Sequence, residues 1–156
     1  MTNKYLTFVS RIKEEINEIE RLVQRALKAW DCVKDTSDDL YLDSVALNLH
    51  SVYSGIEKIF EMIAKDIDGS IPTGDSWHFD LLKQMATEIQ QVRPAVIKKE
   101  TFNFLNEYRS FRHIVRNIYT FNISIKKLTP LVEDLQSAYQ MFNSDIDEFI
   151  HFIEKM

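Results

Sequence analysis

Apolar positions along this chain recur in steps of three and four, and almost nowhere in steps of two. From about Lys4 to about Lys34, Val9, Ile12, Ile16, Ile19, Val23, Ala26, Trp30 and Val33 form one seam. Lys13, Glu14, Glu15, Glu18, Glu20 and Arg21 occupy the other faces. This is the period of an amphipathic helix. Thr36-Ser-Asp-Asp breaks the pattern and offers capping oxygens for a second helix, about Asp38 to Ile67. Its seam is Leu42, Val45, Leu49, Val52, Ile56, Ile59 and Ile63, widened by Ala46, Tyr53 and Phe60, which places it centrally. Gly55 costs about 1 kcal/mol against alanine in a helix interior, and such a position permits close approach of a neighbour.

The segment Asp68 to Trp77, DGSIPTGDSW, reads as a loop. A short third helix is expected from roughly Trp77 to Gln90, with Leu81, Leu82, Met85 and Ile89 inward, before Pro94 interrupts. A fourth is expected from about Lys99 to Phe121. Asn122 to Thr129 reads as a loop, with Pro130 as a first-turn residue of a fifth helix ending near Glu154. The fold expected is all-α, an up-down bundle of about five helices forming a single domain over residues 1–156.

Composition narrows the class. The chain is 45% hydrophobic and 28% charged, as a globular protein is, with three glycines and three prolines. A net charge of −5 argues against a general coat for duplex DNA or an anionic membrane. Cys32 is the only cysteine, so no intrachain disulfide forms. No run approaches 18 apolar residues and the N-terminus lacks a secretory signal, so a cytoplasmic protein is expected. His50, His78, His113 and His151 show no metal-ligand spacing, and neither metal nor cofactor is expected. Trp77-His78 either anchors the glycine-rich loop or places His78 at a cleft; Tyr53 and Tyr108 read as packing residues.

The fourth helix departs from the acidic average. From Tyr108 to Val132 there are five Lys/Arg and no Asp or Glu. At 100° per residue, Arg109, Arg112, His113, Arg116, Asn117, Tyr119 and Thr120 share one sector about 160° wide. Phe111, Ile114, Val115, Ile118 and Phe121 lie opposite. A sector with three arginines and no acid, expected to face solvent, suits phosphate binding.

Within it, Arg112, four residues, Asn117, one residue and Tyr119 resemble the Arg–His–Tyr signature of HepT-like toxins in the HEPN superfamily. The stretches GIEKIFEMIAKDIDGSIPTGDSWH, LLKQM and FRHIVRNIYTF extend the resemblance to nearly the entire chain. It implies a homodimeric, metal-independent endoribonuclease acting on RNA, with the two motifs facing one cleft. It also implies a partner, an MNT-type nucleotidyltransferase antitoxin, that silences the toxin by attaching AMP to Tyr119. Arg112, with His113 and Asn117, would be catalytic, and Arg109 and Arg116 would bind RNA phosphate. The chain departs from the signature where Asn117 replaces histidine. Asparagine does not titrate, so His113, about 40° from Asn117 around the helix, is the expected proton carrier. The alternative is a non-catalytic helical subunit that presents substrate or nucleotide to a nucleotidyltransferase.

Overall fold

The computed structural model describes residues 3–116 and 124–156. Its helices are α1 (Asn3–Thr36), α2 (Leu40–Ile63), α3 (Trp77–Met85), α4 (Lys99–Arg116), α5 (Ile125–Glu133) and α6 (Leu135–Glu154). No strand occurs among the described residues, and the all-α expectation holds. None of these helices is long and apolar enough to cross a membrane.

The seams read from the sequence form the core. Val9, Ile12, Ile19, Val23, Ala26, Trp30 and Val33 of α1 are buried, as are Val45, Leu49, Val52, Ile56, Ile59 and Ile63 of α2. Tyr53 and Phe60 are fully buried on the widened stripe, and Phe60 meets Phe142 of α6 edge-on at 5.8 Å. α2 touches α1, α3, α4 and α5, the central place its width predicted. At the α1–α2 junction the N-cap residue, Asp39, makes no side-chain capping bond; instead Asp38 Oδ1, one residue earlier, accepts from the Leu40 N–H at 2.9 Å. α2 runs on into a π-helical turn, Ala64–Asp68, which Gly69 ends at φ 69°.

Gly55 does allow a close approach. A Cβ built there would lie 2.7 Å from Ile19 Cγ1 of α1. Gly55→Ala is therefore expected to lower stability by about 1–2 kcal/mol, because overpacking outweighs the gain in helix propensity. Denaturant unfolding measures this; a variant more stable than the parent would show that α1 gives way freely.

Two expectations are corrected. α3 stops at Met85 rather than near Gln90, because the Met85 carbonyl accepts from the N–H groups of Val96 and Ile97 at 2.8 and 3.2 Å. The chain then doubles back, pairing Ile89 with Arg93. Ile89 is accordingly only half-buried. The second correction concerns residues 125–129, expected as loop, which are helical. Ser124 caps α5 by accepting from the Lys126 N–H at 3.2 Å, and Leu128 and Val132 are buried. Pro130 therefore lies inside α5 rather than in the first turn of a longer helix. It lacks the N–H that would reach the Lys126 carbonyl. The chain bends at Asp134, one turn later, so the expected fifth helix is two, α5 and α6.

Candidate functional site

α2, the start of α3 and the second half of α4 converge on one polar cluster. Arg112 on α4 reaches across to α2, where its Nε donates to Ser54 Oγ at 3.0 Å and its Nη1 to Glu57 Oε1 at 3.2 Å. The Glu57 side chain is only 5% exposed and that of Arg112 17%. Arg112 does not project from a solvent-facing sector as the helical wheel implied. A buried carboxylate is costly without a cation, and that cost draws the guanidinium inward against α2.

His78, in the first turn of α3, completes the cluster. Its Nδ1 lies 2.7 Å from Glu57 Oε2 and 3.2 Å from Arg112 Nη1. One ring nitrogen does not both donate to the carboxylate and accept from the guanidinium. The shorter distance and the negative partner assign the Nδ1 proton to the bond with Glu57. Trp77 stacks on the ring with centroids 3.6 Å apart. Of the pair, Trp77 packs half-buried against the core, while His78 lines a pocket.

The open side of the cluster is a pocket of about 190 Å³ lined by Asp75, Ser76, His78, Phe79, Arg109, Arg112 and His113. Arg109 is held by Asn106 Oδ1, which accepts from its Nε at 2.9 Å, and lies over the Phe79 ring at 5.3 Å. Among the described residues it has no carboxylate partner. Its charge is oriented but not neutralised, as an anion site requires. His113 is exposed at the rim. The pocket thus gathers Arg109, Arg112 and His113 from the residues singled out in the sequence. Arg116 is described only as a helical residue of α4, while Asn117 and Tyr119 lie outside the described residues. No group of three His, Cys, Asp or Glu among the described residues is arranged to hold a metal ion.

The cluster's charges affect their neighbours. The Tyr53 hydroxyl is buried with no hydrogen-bond partner among the described residues. Burial, and then Glu57, push its pKa far up, while Arg109 and Arg112 pull it down. Glu61, one turn beyond Glu57, is also raised, first by burial and then by Glu57, with His78 and Arg112 opposing. Tyr108 is a packing residue whose hydroxyl donates to the Leu131 carbonyl at 2.6 Å.

Ser54 and Glu57 were not singled out in the sequence, although Glu57 carried a signal. It falls four residues after Tyr53 and three before Phe60, inside the widened apolar stripe. An acid on a buried stripe calls for a cationic partner.

A family model described as HepT-like protein matches residues 44–153. The chain belongs to the HepT-like family, within the HEPN superfamily. The match takes in the whole polar cluster, from Ser54 to His113, and leaves out α1, so it is narrower than the nearly full-length resemblance expected. No curated protein and no solved structure matches the chain. In this HepT-like protein, the motif arginine is thus anchored to α2 through Ser54 and Glu57, with His78 alongside.

Proposed function

We propose that this chain is a HepT-like toxin, a metal-independent endoribonuclease that acts in the cytoplasm as a homodimer. Residues 1–156 work as one helical domain. Arg112, with Arg109 and Arg116, holds the scissile phosphate, and His113 with Asn117 handles hydroxyl contact and proton transfer. A partner MNT-type nucleotidyltransferase silences the toxin by attaching AMP to Tyr119. The observation that carries the reading is the pocket itself. Arg109 and Arg112 line it together, and Arg109 has no carboxylate partner among the described residues. RNA supplies the missing anion, and its affinity should fall with added salt as phosphate contacts release counterions.

Expression tests the proposal in the cell. The chain alone should arrest growth, and the partner gene should relieve the arrest. Growth unaffected by expression, with RNA bound but uncut in vitro, would instead favour the non-catalytic binding subunit. Tyr119→Phe should keep its toxicity and escape the partner, with no AMP found by mass spectrometry of the intact protein. AMP still gained by Tyr119→Phe would place the acceptor elsewhere. A bulky, negatively charged adduct at Tyr119 would act as phosphorylation does, supplying a competing anion for the arginines.

A further inference from the structure

The Asn117 substitution leaves RNA cleavage without the signature histidine, and the cluster contains a histidine that the signature does not name. We propose that His78, oriented by Glu57, is the general base that takes the proton from the attacking 2′-hydroxyl of RNA. This rests on the ribonuclease reading and divides its proton transfer between two residues of the same pocket, with His78 as base and His113 as acid.

Glu57 Oε2 accepts the Nδ1–H at 2.7 Å, which fixes the tautomer and leaves the lone pair on Nε2. Nε2 has no hydrogen bond among the described residues, and His78 lines the pocket with a side chain 25% exposed. A buried carboxylate that holds an imidazole at one nitrogen orients the ring and stabilises the imidazolium formed when the other nitrogen takes a proton. Trp77 stacks on the ring and restricts its rotation further. Arg112 Nη1, 3.2 Å from Nδ1, places the phosphate-binding cation beside the base. A nucleotide whose phosphate sits on Arg109 and Arg112 brings its ribose to the same pocket.

The step balances without a metal or redox partner. His78 Nε2 takes the 2′-hydroxyl proton as the 2′-oxygen bonds to phosphorus. The bond from phosphorus to the 5′-oxygen breaks, and that oxygen takes a proton from His113 at the pocket rim. The products are a 2′,3′-cyclic phosphate and a 5′-hydroxyl. Among the described residues, the charged and titratable groups around His78 are Glu57 and Glu61 on α2, Asp75 in the preceding loop, and Arg109, Arg112 and His113 on α4.

Single-turnover cleavage of a short RNA by the purified full chain tests the assignment, beside binding of the same RNA made uncleavable by 2′-O-methylation. His78→Ala should lose about 10²–10⁴-fold in rate, keep its RNA affinity, and lose the acidic limb of the parent's pH–rate profile. Added imidazole should restore part of the rate, which a merely structural histidine would not allow. Glu57→Gln keeps an acceptor for Nδ1–H but loses the charge, and should fall between parent and His78→Ala. If the parent cleaves and His78→Ala cleaves equally fast, His78 is not the base while the ribonuclease reading stands. A slow His78→Ala that imidazole does not rescue, or that binds RNA as poorly as it cuts, also overturns the assignment. A parent that cuts no RNA overturns both.

Discussion

Arg112→Ala is expected to lower RNA cleavage by about 10²–10³-fold, the usual cost of removing one preorganised donor from a developing anionic centre. The guanidinium is preorganised by two bonds to α2, from Nε to Ser54 and from Nη1 to Glu57, so it does not have to be ordered when RNA binds. Alanine also leaves Glu57, at 5% exposure, with the His78 ring as its one remaining hydrogen-bond partner among the described residues. The variant should therefore lose roughly 1–3 kcal/mol of stability as well. Arg112→Lys separates the two effects. It keeps a cation near Glu57, and so most of the stability, but loses the planar fork that meets two phosphate oxygens. Its cleavage should stay well below the parent's while its melting point approaches it. Thermal unfolding and initial rates on one RNA measure both quantities. Parent-like cleavage by folded Arg112→Ala would remove the arginine from the site.

The second large effect concerns the ground on which α3 stands. Arg93→Ala is expected to destabilise the protein by about 3–5 kcal/mol, because it breaks a buried ion pair from one side. Arg93 Nε and Nη2 meet Asp68 Oδ1 and Oδ2 at 2.6 and 2.7 Å, and the two side chains are 0% and 1% exposed. The same guanidinium donates to the carbonyls of Thr87, Pro94 and Gln84. Gln84 in turn donates to Asp68 at 2.8 Å. This network ties the end of the π-helical turn to α3 and to the connector before α4. Without Arg93, Asp68 is left with the Gln84 amide and three carbonyls lose a donor. For a chain of this size, the melting point should fall by about 10 °C. A drop under about 2 °C would show that water replaces the network at little cost. Because α3 carries His78, a partly folded Arg93→Ala should also lose cleavage at temperatures where the parent remains active.

The contrast between Arg93 and Val45 shows what the sequence revealed and what it concealed. Val45 and its partners in α1 and α2 were legible because helix periodicity is a local property, and a seam seven positions long leaves one arrangement. Nothing in the sequence singled out Arg93, which stands just before the interrupting Pro94. Its burial depends on Asp68, 25 residues away, and no local pattern encodes that pairing. The early stop of α3 has the same origin, since Met85 gives its carbonyl to Val96 and Ile97 rather than to the next helical turn. α5 was obscured by Pro130, which reads as a helix start although Ser124 already caps a turn upstream.

For the site, the wheel collected Arg109, Arg112 and His113 on one side of α4, and the pocket contains all three. What faces that side was hidden. The acid-free sector is acid-free only within α4, because Glu57 arrives from α2. Glu57 and His78 are 21 residues apart and meet only once α2 and α3 fold against each other. Sequence spacing within one helix gathers the residues of one face, but a polar cluster built across three helices emerges only from their packing.

If this HepT-like pocket cuts RNA through its own side chains, cleavage needs no added metal. The most direct measurement is incubation of the purified parent chain with RNA in excess chelator, with the product ends identified by mass spectrometry. Cleavage is expected at the rate seen without chelator, yielding 2′,3′-cyclic phosphate and 5′-hydroxyl ends. Intact RNA in chelator, with cleavage restored by added divalent metal and ending in 5′-phosphates, would contradict it.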